Sequence, residues 1–247
     1  MLGEKRIKYL LDTALSLSPA DETQASLTAT DEALTRFANN AIHQNVADSD
    51  AVLEVRAMFG KRVGTASTNN LSDEGIRRIV EAACEIARHQ PENDEFPGLP
   101  EPSPLTSVES FDEAAAAASP ELRAGAVAAI CRAATEAGGI AAGAYSTSAS
   151  ETAIANSKGV WAYHPATSVD LTLVVAKEAA SGYAHGTSWR LDRVQIEWLG
   201  QEAVSKAVAA SRREAIQLPG GEYTVILEPY AVADIVEQLS SCGMGAL

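Results

Sequence analysis

Ala51-Val-Leu-Glu-Val-Arg-Ala-Met-Phe-Gly-Lys-Arg-Val-Gly-Thr-Ala-Ser-Thr68 decides the fold class. Leu53, Val55, Ala57 and Phe59 alternate with polar neighbours, which is the period of a half-buried strand. Gly60-Lys61 then turns the chain into a partner strand from Arg62 to Thr68. Ser72 follows as an N-cap, and Ile76, Ile79, Val80, Ala83 and Ala87 form the apolar stripe of a helix. A hairpin running straight into a helix is an α+β pattern and not an alternating βαβ one.

Upstream, Ile7, Leu10, Leu11, Ala14 and Leu15 fall at helical spacing, and Pro19 lies past the helix end. Ala25, Leu27 and Ala29 alternate in a strand from Gln24 to Thr30. Leu34–Phe37 and Ile42–Val46 read as a hairpin around Ala38-Asn-Asn-Ala41. Residues 1–90 are therefore expected to form an N-terminal α+β domain.

Residues 91–118 read as a linker. Pro91, Pro97, Pro100, Pro102 and Pro104 stand among acidic and small residues, and an alanine run follows. Proline at that density excludes a helix. Residues 119–217 repeat the element order. Ser119-Pro120 opens a helix that stops at Gly138-Gly139. Strands are expected over Ala141–Ser150, Thr152–Asn156, Val160–Tyr163, Thr167–Glu178 and Ser181–Trp189. Asp192 and Gln195 have the spacing of a capping box before a last helix with Ile196, Leu199, Ala203, Val204, Ala207 and Val208 on one face. No residue-level repeat accompanies the repeated order.

From Leu218 a Pro-Gly-Gly turn leads to an apolar strand, Tyr223–Leu227, and then to a helix opened by Glu228-Pro229. Val232, Ile235, Val236 and Leu239 form its stripe, and Gly243-Met-Gly-Ala-Leu247 follows. One strand and one helix cannot bury a core. Residues 218–247 are thus expected to be the truncated start of a third, β-rich domain.

Composition narrows the function. The 247 residues are 46% hydrophobic and 21% charged, with a net charge of −14 and a pI near 4.7. Direct nucleic-acid binding needs a basic footprint, which this balance denies. No stretch approaches the ~18 apolar residues of a membrane span, and Met1–Tyr9 carries charges where a signal peptide would be apolar. A cytoplasmic protein is expected. Cys84, Cys131 and Cys242 form no C-x-x-C pair; the first two read as reduced core thiols.

No catalytic motif emerges from the residues. His43, His89, His164 and His185 include no pair at helix-face spacing, so no zinc-peptidase motif is present. A nucleophile elbow, a P-loop and a dinucleotide fingerprint are also missing. Tyr145-Ser-Thr-Ser-Ala-Ser150 is rich in hydroxyls, as an exposed strand of small polar residues would be. Arg36, Phe37, Asn39, Asn156 and Ser157 are the candidate contact residues. Each also has a plain structural reading: Phe37 as core, and Asn39, Asn156 and Ser157 as turn residues.

Four phrases together resemble one family. They are Leu34-Thr-Arg-Phe-Ala-Asn-Asn-Ala-Ile-His-Gln44, Lys61-Arg-Val-Gly-Thr-Ala-Ser-Thr-Asn-Asn-Leu-Ser-Asp-Glu-Gly75, Glu151-Thr-Ala-Ile-Ala-Asn-Ser-Lys-Gly159 and Leu218-Pro-Gly-Gly-Glu-Tyr-Thr-Val-Ile-Leu-Glu-Pro229. In this order they are similar to the TldD/PmbA family, also called modulators of DNA gyrase. The resemblance implies cytoplasmic metallopeptidases of small or unfolded polypeptides, working as a dimer of a TldD-type and a TldE/PmbA-type subunit. The TldD-type subunit carries H-E-x-x-x-H on a helix early in its third domain, and zinc is expected there. At that place this chain reads Ala231-Val-Ala-Asp-Ile-Val-Glu-Gln-Leu239, with Asp234, Ile235, Glu237 and Gln238 and no histidine. The resemblance thus implies a TldE/PmbA-type subunit with no catalytic residue, metal ligand or cofactor of its own. Its implied partners are a TldD-type paralogue and an unfolded peptide, with neither nucleic acid nor membrane. A non-proteolytic adaptor acting on gyrase or another partner is the alternative.

Overall fold

The computed structural model describes residues 1–214 and 216–244. The tail Gly245–Leu247 of the expected third domain, and Ala215, lie outside the described residues. Six helices and six strands follow in the order α1 (Glu4–Leu17), β1 (Glu22–Ala38), β2 (Ala41–Phe59), β3 (Arg62–Thr68), α2 (Asp73–His89), α3 (Glu113–Ala116), α4 (Pro120–Glu136), β4 (Ile140–Asn156), β5 (Trp161–Lys177), β6 (Ala180–Ser188), α5 (Ile196–Ser211) and α6 (Pro229–Gly243).

All six strands join one antiparallel sheet in the order β3-β2-β1-β4-β5-β6. The fold is α+β, with helix–antiparallel strands–helix occurring twice. The two halves meet at β1 and β4, which pair from Gln24↔Asn156 to Phe37↔Gly143. The strands are longer than the sequence suggests. Gln24–Thr30 and Leu34–Phe37 are one strand, because the alternation by twos continues through Asp31-Glu32 without a turn. Ile42–Val46 and Ala51–Phe59 likewise merge into β2, and the segments on either side of Ser150 and His164-Pro165 merge into β4 and β5.

The alternation puts the strand side chains of both cores on one face of the sheet. There α1 and α2 close a core with Leu27, Leu53, Val55 and Ala57. α4 and α5 close a second core with Phe37, Tyr145, Leu171 and Leu173. Asp31 faces the gap between these cores and Glu32 the open face, so the two charged residues cost the strand little. Among the described elements the opposite face meets a helix only at Tyr183, where the first turn of α6 stands, and apart from Met58 and Asn156, which are buried, its strand residues are half-buried to exposed.

Both halves seat their closing helix in the same way. A Cβ at Gly64 of β3 would lie 2.3 Å from Ala83 O and from Ala87 N of α2. One at Gly182 of β6 would lie 2.0 Å from Ala203 O and 2.7 Å from Ala207 N of α5. Glycine on an edge strand, against two alanines one turn apart, lets helix backbone touch strand backbone. This is a residue-level correspondence that the linear sequence hides.

Two expectations need correction. Tyr223–Leu227 is not a strand; Ile226 is 99% exposed. An apolar run becomes a strand only with a hydrogen-bonding neighbour, and none of the described strands pairs with it. Asp192 does not cap α5. Its carboxylate takes a fork from Arg190 (2.9 and 2.6 Å), and Gln195, the N-cap, makes no side-chain cap bond. Ser119 and Ser72 do cap α4 and α2, at 3.2 Å in each case.

The expected linker is irregular only as far as Asp112 and is bonded to the sheet; past the prolines the alanine run forms α3, whose Ala115 joins the second core. Leu99 is buried, its N–H donating to Glu22 Oε2 (2.7 Å). Pro100 O accepts from Asn156 Nδ2 (2.9 Å).

Candidate functional site

The five candidate residues fall into two groups at opposite ends of β1. Asn39 and Asn40 both have positive φ, 53° and 59°, the backbone of a two-residue type I′ hairpin turn. Phe37 is 1% exposed, and Gly143 makes room for it: a Cβ there would sit 2.8 Å from the Phe37 ring. Arg36 is on the other face, exposed, with Gln44 Oε1 at 3.4 Å from its Nη1. The residue that anchors this turn is Asn40. Its Nδ2 donates to Thr135 Oγ1 and Gly139 O (3.1 Å each), and its Oδ1 accepts from Ala141 N (2.6 Å).

The second group closes the far end. Asn156 Oδ1 accepts from Lys158 N (3.0 Å) and Val160 N (2.9 Å), which shapes the β4–β5 turn. Ser157 Oγ accepts from Thr23 N (3.0 Å), and Ser157 N donates to Thr23 O (2.8 Å). Lys158 reaches Glu22 at 2.9 Å. The Leu99 amide first, and then Lys158, hold the Glu22 carboxyl below its ordinary pKa. The two groups are separated by most of a 17-residue strand, about 40 Å at the usual rise. They form no common site.

Two buried charged side chains lie outside the five candidates. Arg123 is 1% exposed. Its Nε donates to Thr35 Oγ1 (3.3 Å), and its Nη1 donates to Ala118 O (2.9 Å) and Thr147 Oγ1 (3.1 Å). No carboxylate pairs with it among the described residues, and burial lowers its pKa. Glu151, also 1% exposed, accepts from Leu2 N (2.6 Å), Gly3 N (2.9 Å) and Tyr163 Oη (2.7 Å). Burial, and then this carboxylate, raise the Tyr163 pKa strongly. Periodicity could have found both. Arg123 stands four residues before Val127 on the apolar stripe of α4, and Glu151 continues the buried alternation Tyr145, Thr147, Ala149.

His185 Nε2 and Asp170 Oδ2 lie 2.7 Å apart on the open face. A base of this kind needs a nucleophile or a bound water to act on. No hydroxyl or thiol bonds to the His185 ring among the described residues. Ser110 Oγ is 3.0 Å from His164 Nε2, but its proton goes to Pro165 O (2.9 Å). The hydroxyl-rich stretch splits by face: Tyr145, Thr147 and Ala149 are buried, while Ser146, Ser148 and Ser150 line the open side.

Helix α6 is half-buried at Tyr230 and Ala231, exposed beyond them, and fully buries no residue. It is held at its first turn. Tyr230 stands edge-on to Tyr183 with ring centroids 5.4 Å apart, and its hydroxyl donates to Glu202 (3.0 Å). Lys206 binds Glu202 (2.8 Å) and Glu228 (2.7 Å). Asp234 and Glu237 are the carboxylates of α6. Its sequence holds no imidazole, so its donors do not fit a zinc-peptidase site. Among the described residues no three His, Cys, Asp or Glu gather as a metal site. No described helix is long and apolar enough to cross a membrane.

A family model described as PmbA/TldA metallopeptidase domain 1 matches residues 25–87, and one described as the PmbA/TldA metallopeptidase central domain matches residues 97–210. The chain belongs to the TldD/PmbA family. The central-domain match takes in most of the proline-rich segment, in keeping with its bonds to the sheet. Three solved structures share the fold of this TldD/PmbA chain. TldE from Thermococcus kodakarensis is 19% identical with a TM-score of 0.69, over 81% of this chain and 46% of that one. A protein described as a modulator of a DNA gyrase from Thermotoga maritima is 16% identical with a TM-score of 0.75, over 85% and 50%. Another so described, from Bacteroides thetaiotaomicron, is 16% identical with a TM-score of 0.77, over 98% and 57%. The chain thus spans about half the length of these structures. No curated protein matches it by sequence.

Proposed function

We propose that this chain belongs to a TldE/PmbA-type subunit of a cytoplasmic peptidase that processes small or unfolded polypeptides, with a TldD-type paralogue holding the zinc. The observation that carries the reading is α6. It is the helix on which the TldD-type subunit is expected to bear its metal motif, and here it presents Asp234, Ile235, Glu237 and Gln238 in place of histidines. A helix with two exposed carboxylates and no imidazole offers too few ligands for a catalytic zinc, which takes three protein side chains. The similarity to TldE supports the same assignment.

The role left to such a subunit is to hold, shape and exclude. The open sheet face, lined by small hydroxyl side chains, is a surface for that work, and the His185–Asp170 pair stands on it. The test is to express the full-length protein with its TldD-type paralogue and follow cleavage of an unfolded peptide. The pair is expected to cleave faster than the paralogue alone; equal rates would sink the proposal. The adaptor reading draws on the gyrase-modulator descriptions of two similar structures. A pull-down that recovers gyrase and no TldD-type paralogue would favour it.

A further inference from the structure

The sheet has an edge that its own strands leave unpaired. Of the 19 residues of β2, the seven from Leu53 to Phe59 pair with β3, which leaves twelve, 41 to 52, paired only with β1. Among the described residues no backbone hydrogen bond outside the β1 ladder reaches residues 41–52. A free edge of this length, about 40 Å, is a template for another strand, and soluble proteins commonly blunt such edges with lysine or proline. Residues 41–52 contain neither.

The open-face side chains along this edge read Val46, Asp48, Asp50, Val52. Val46 and Val52 are 43% and 39% exposed. Asp48 lies directly opposite Glu32 of β1. Like charges in that position are destabilising, and none of Glu32, Asp48 and Asp50 has an ion-pair partner among the described residues. One Asp48 oxygen accepts from Ser49 N (3.0 Å), which leaves the other oxygen for a cation. A second copy of this chain would bring the same carboxylates to the edge, on a molecule of net charge −14. Charge therefore selects a basic strand.

We infer that β2 residues 41–52 take up an extended basic polypeptide as an added antiparallel strand. Its two cationic side chains, two residues apart, face Asp48 and Asp50, and apolar side chains beyond them face Val46 and Val52. The backbone ladder supplies sequence-tolerant affinity, and the alternate side chains supply the preference. The inference rests on the function proposed above for the arrival of an unfolded chain, and it names the class of that chain.

The probe is a fluorescent heptapeptide, Val-Thr-Lys-Thr-Lys-Thr-Val, with a counterpart carrying Glu in place of Lys. Binding to the 247-residue chain is read by anisotropy at low salt, and the edge is read by hydrogen exchange. The basic peptide is expected to bind at least about tenfold more tightly than the acidic one, which corresponds to a few exposed charge pairs. It should also slow exchange within residues 41–52. The exposed double variant Asp48→Lys, Asp50→Lys should fold as before and reverse the preference. An unchanged preference in that variant would overturn the inference, as would protection confined to other strands. Protection of residues 41–52 by self-association alone, or by the TldD-type paralogue but not by the peptide, would also overturn it. The peptide-binding arm uses this chain alone and reads no cleavage; the paralogue enters only as a competitor in the exchange arm. The edge can therefore fail while the subunit assignment stands, or bind while cleavage shows no partnership.

Discussion

Replacing Arg123 tests how the middle of the molecule is held. Arg123→Met keeps most of the buried volume and removes the guanidinium. Three contacts go with it, to Thr35 Oγ1, Ala118 O and Thr147 Oγ1. Thr35 retains Asn45 Oδ1 at 3.2 Å, so Ala118 O and Thr147 Oγ1 lose most. A buried acceptor left without its donor costs about 1–3 kcal/mol. The opposing term is the relief of a buried charge that no carboxylate compensates, and replacing such groups by apolar ones returns several kcal/mol in some proteins. Here the acceptors stay behind, so a net loss of about 1–3 kcal/mol is expected. Arg123→Ala adds a cavity and should reach about 3–5 kcal/mol. Adding Thr147→Val to Arg123→Met removes one orphaned acceptor and should restore part of the loss. The assay is urea unfolding followed by far-UV circular dichroism, comparing midpoints at an unchanged slope. Arg123→Met as stable as the parent would refute the reasoning. So would a double variant weaker than the single one, because the hydrogen bonds would then not be what the guanidinium contributes.

Gly182→Ala should destabilise by about 1–3 kcal/mol, since its Cβ would meet the α5 backbone at Ala203 and Ala207 as well as the fixed Lys206 Cβ; for a chain of this size that lowers the Tm by roughly 2–12 °C, and an unchanged thermal melt would count against backbone contact. In Glu22, whose folded pKa is lowered chiefly by the Leu99 amide, the linked stability is fully present above the unfolded value of about 4.3 and is lost as pH falls through the lower folded value. Glu22→Gln should therefore flatten the acid limb of a urea-midpoint profile below about pH 4.3, and an identical limb would remove Glu22 from the account. Residues 218–244 should exchange amide hydrogens faster than α4 or α5, because α6 fully buries no residue; protection equal to α5 would show contacts beyond Tyr230 and Lys206.

The sequence shows the local elements well because they follow from periodicity. All four long helices of the two cores lie close to where their apolar stripes place them, and the Asn39-Asn40 turn is where the chain reverses. What it hides is partnership at a distance. Nothing in residues 24–37 names residues 143–156 as their neighbours, so one sheet reads as two units. Strand length was obscured because Asp31-Glu32 and Ser150 look like breaks, whereas a strand tolerates polar residues wherever the covering helices leave a gap. Among the candidate residues, Phe37 and Asn39 take their structural readings, core and turn. Asn156 and Ser157 bind the chain to itself. Arg123 and Glu151 passed unnoticed because a charged residue is read as solvated unless its position on a buried stripe is given more weight than its type.

The β1–β4 pairing also sets a schedule for synthesis. Phe37 pairs with Gly143, 106 residues later (143 − 37), and Gln24 pairs with Asn156, 132 residues later (156 − 24). At roughly 5–20 residues per second, β1 emerges from the ribosome about 5–25 s before the strand that will cover its inner edge. Through that interval a 17-residue strand carries one edge bonded to β2 and the other open. The first half of the molecule is thus born as a sheet with a vacancy at its future centre, and a nascent-chain chaperone would find its target there.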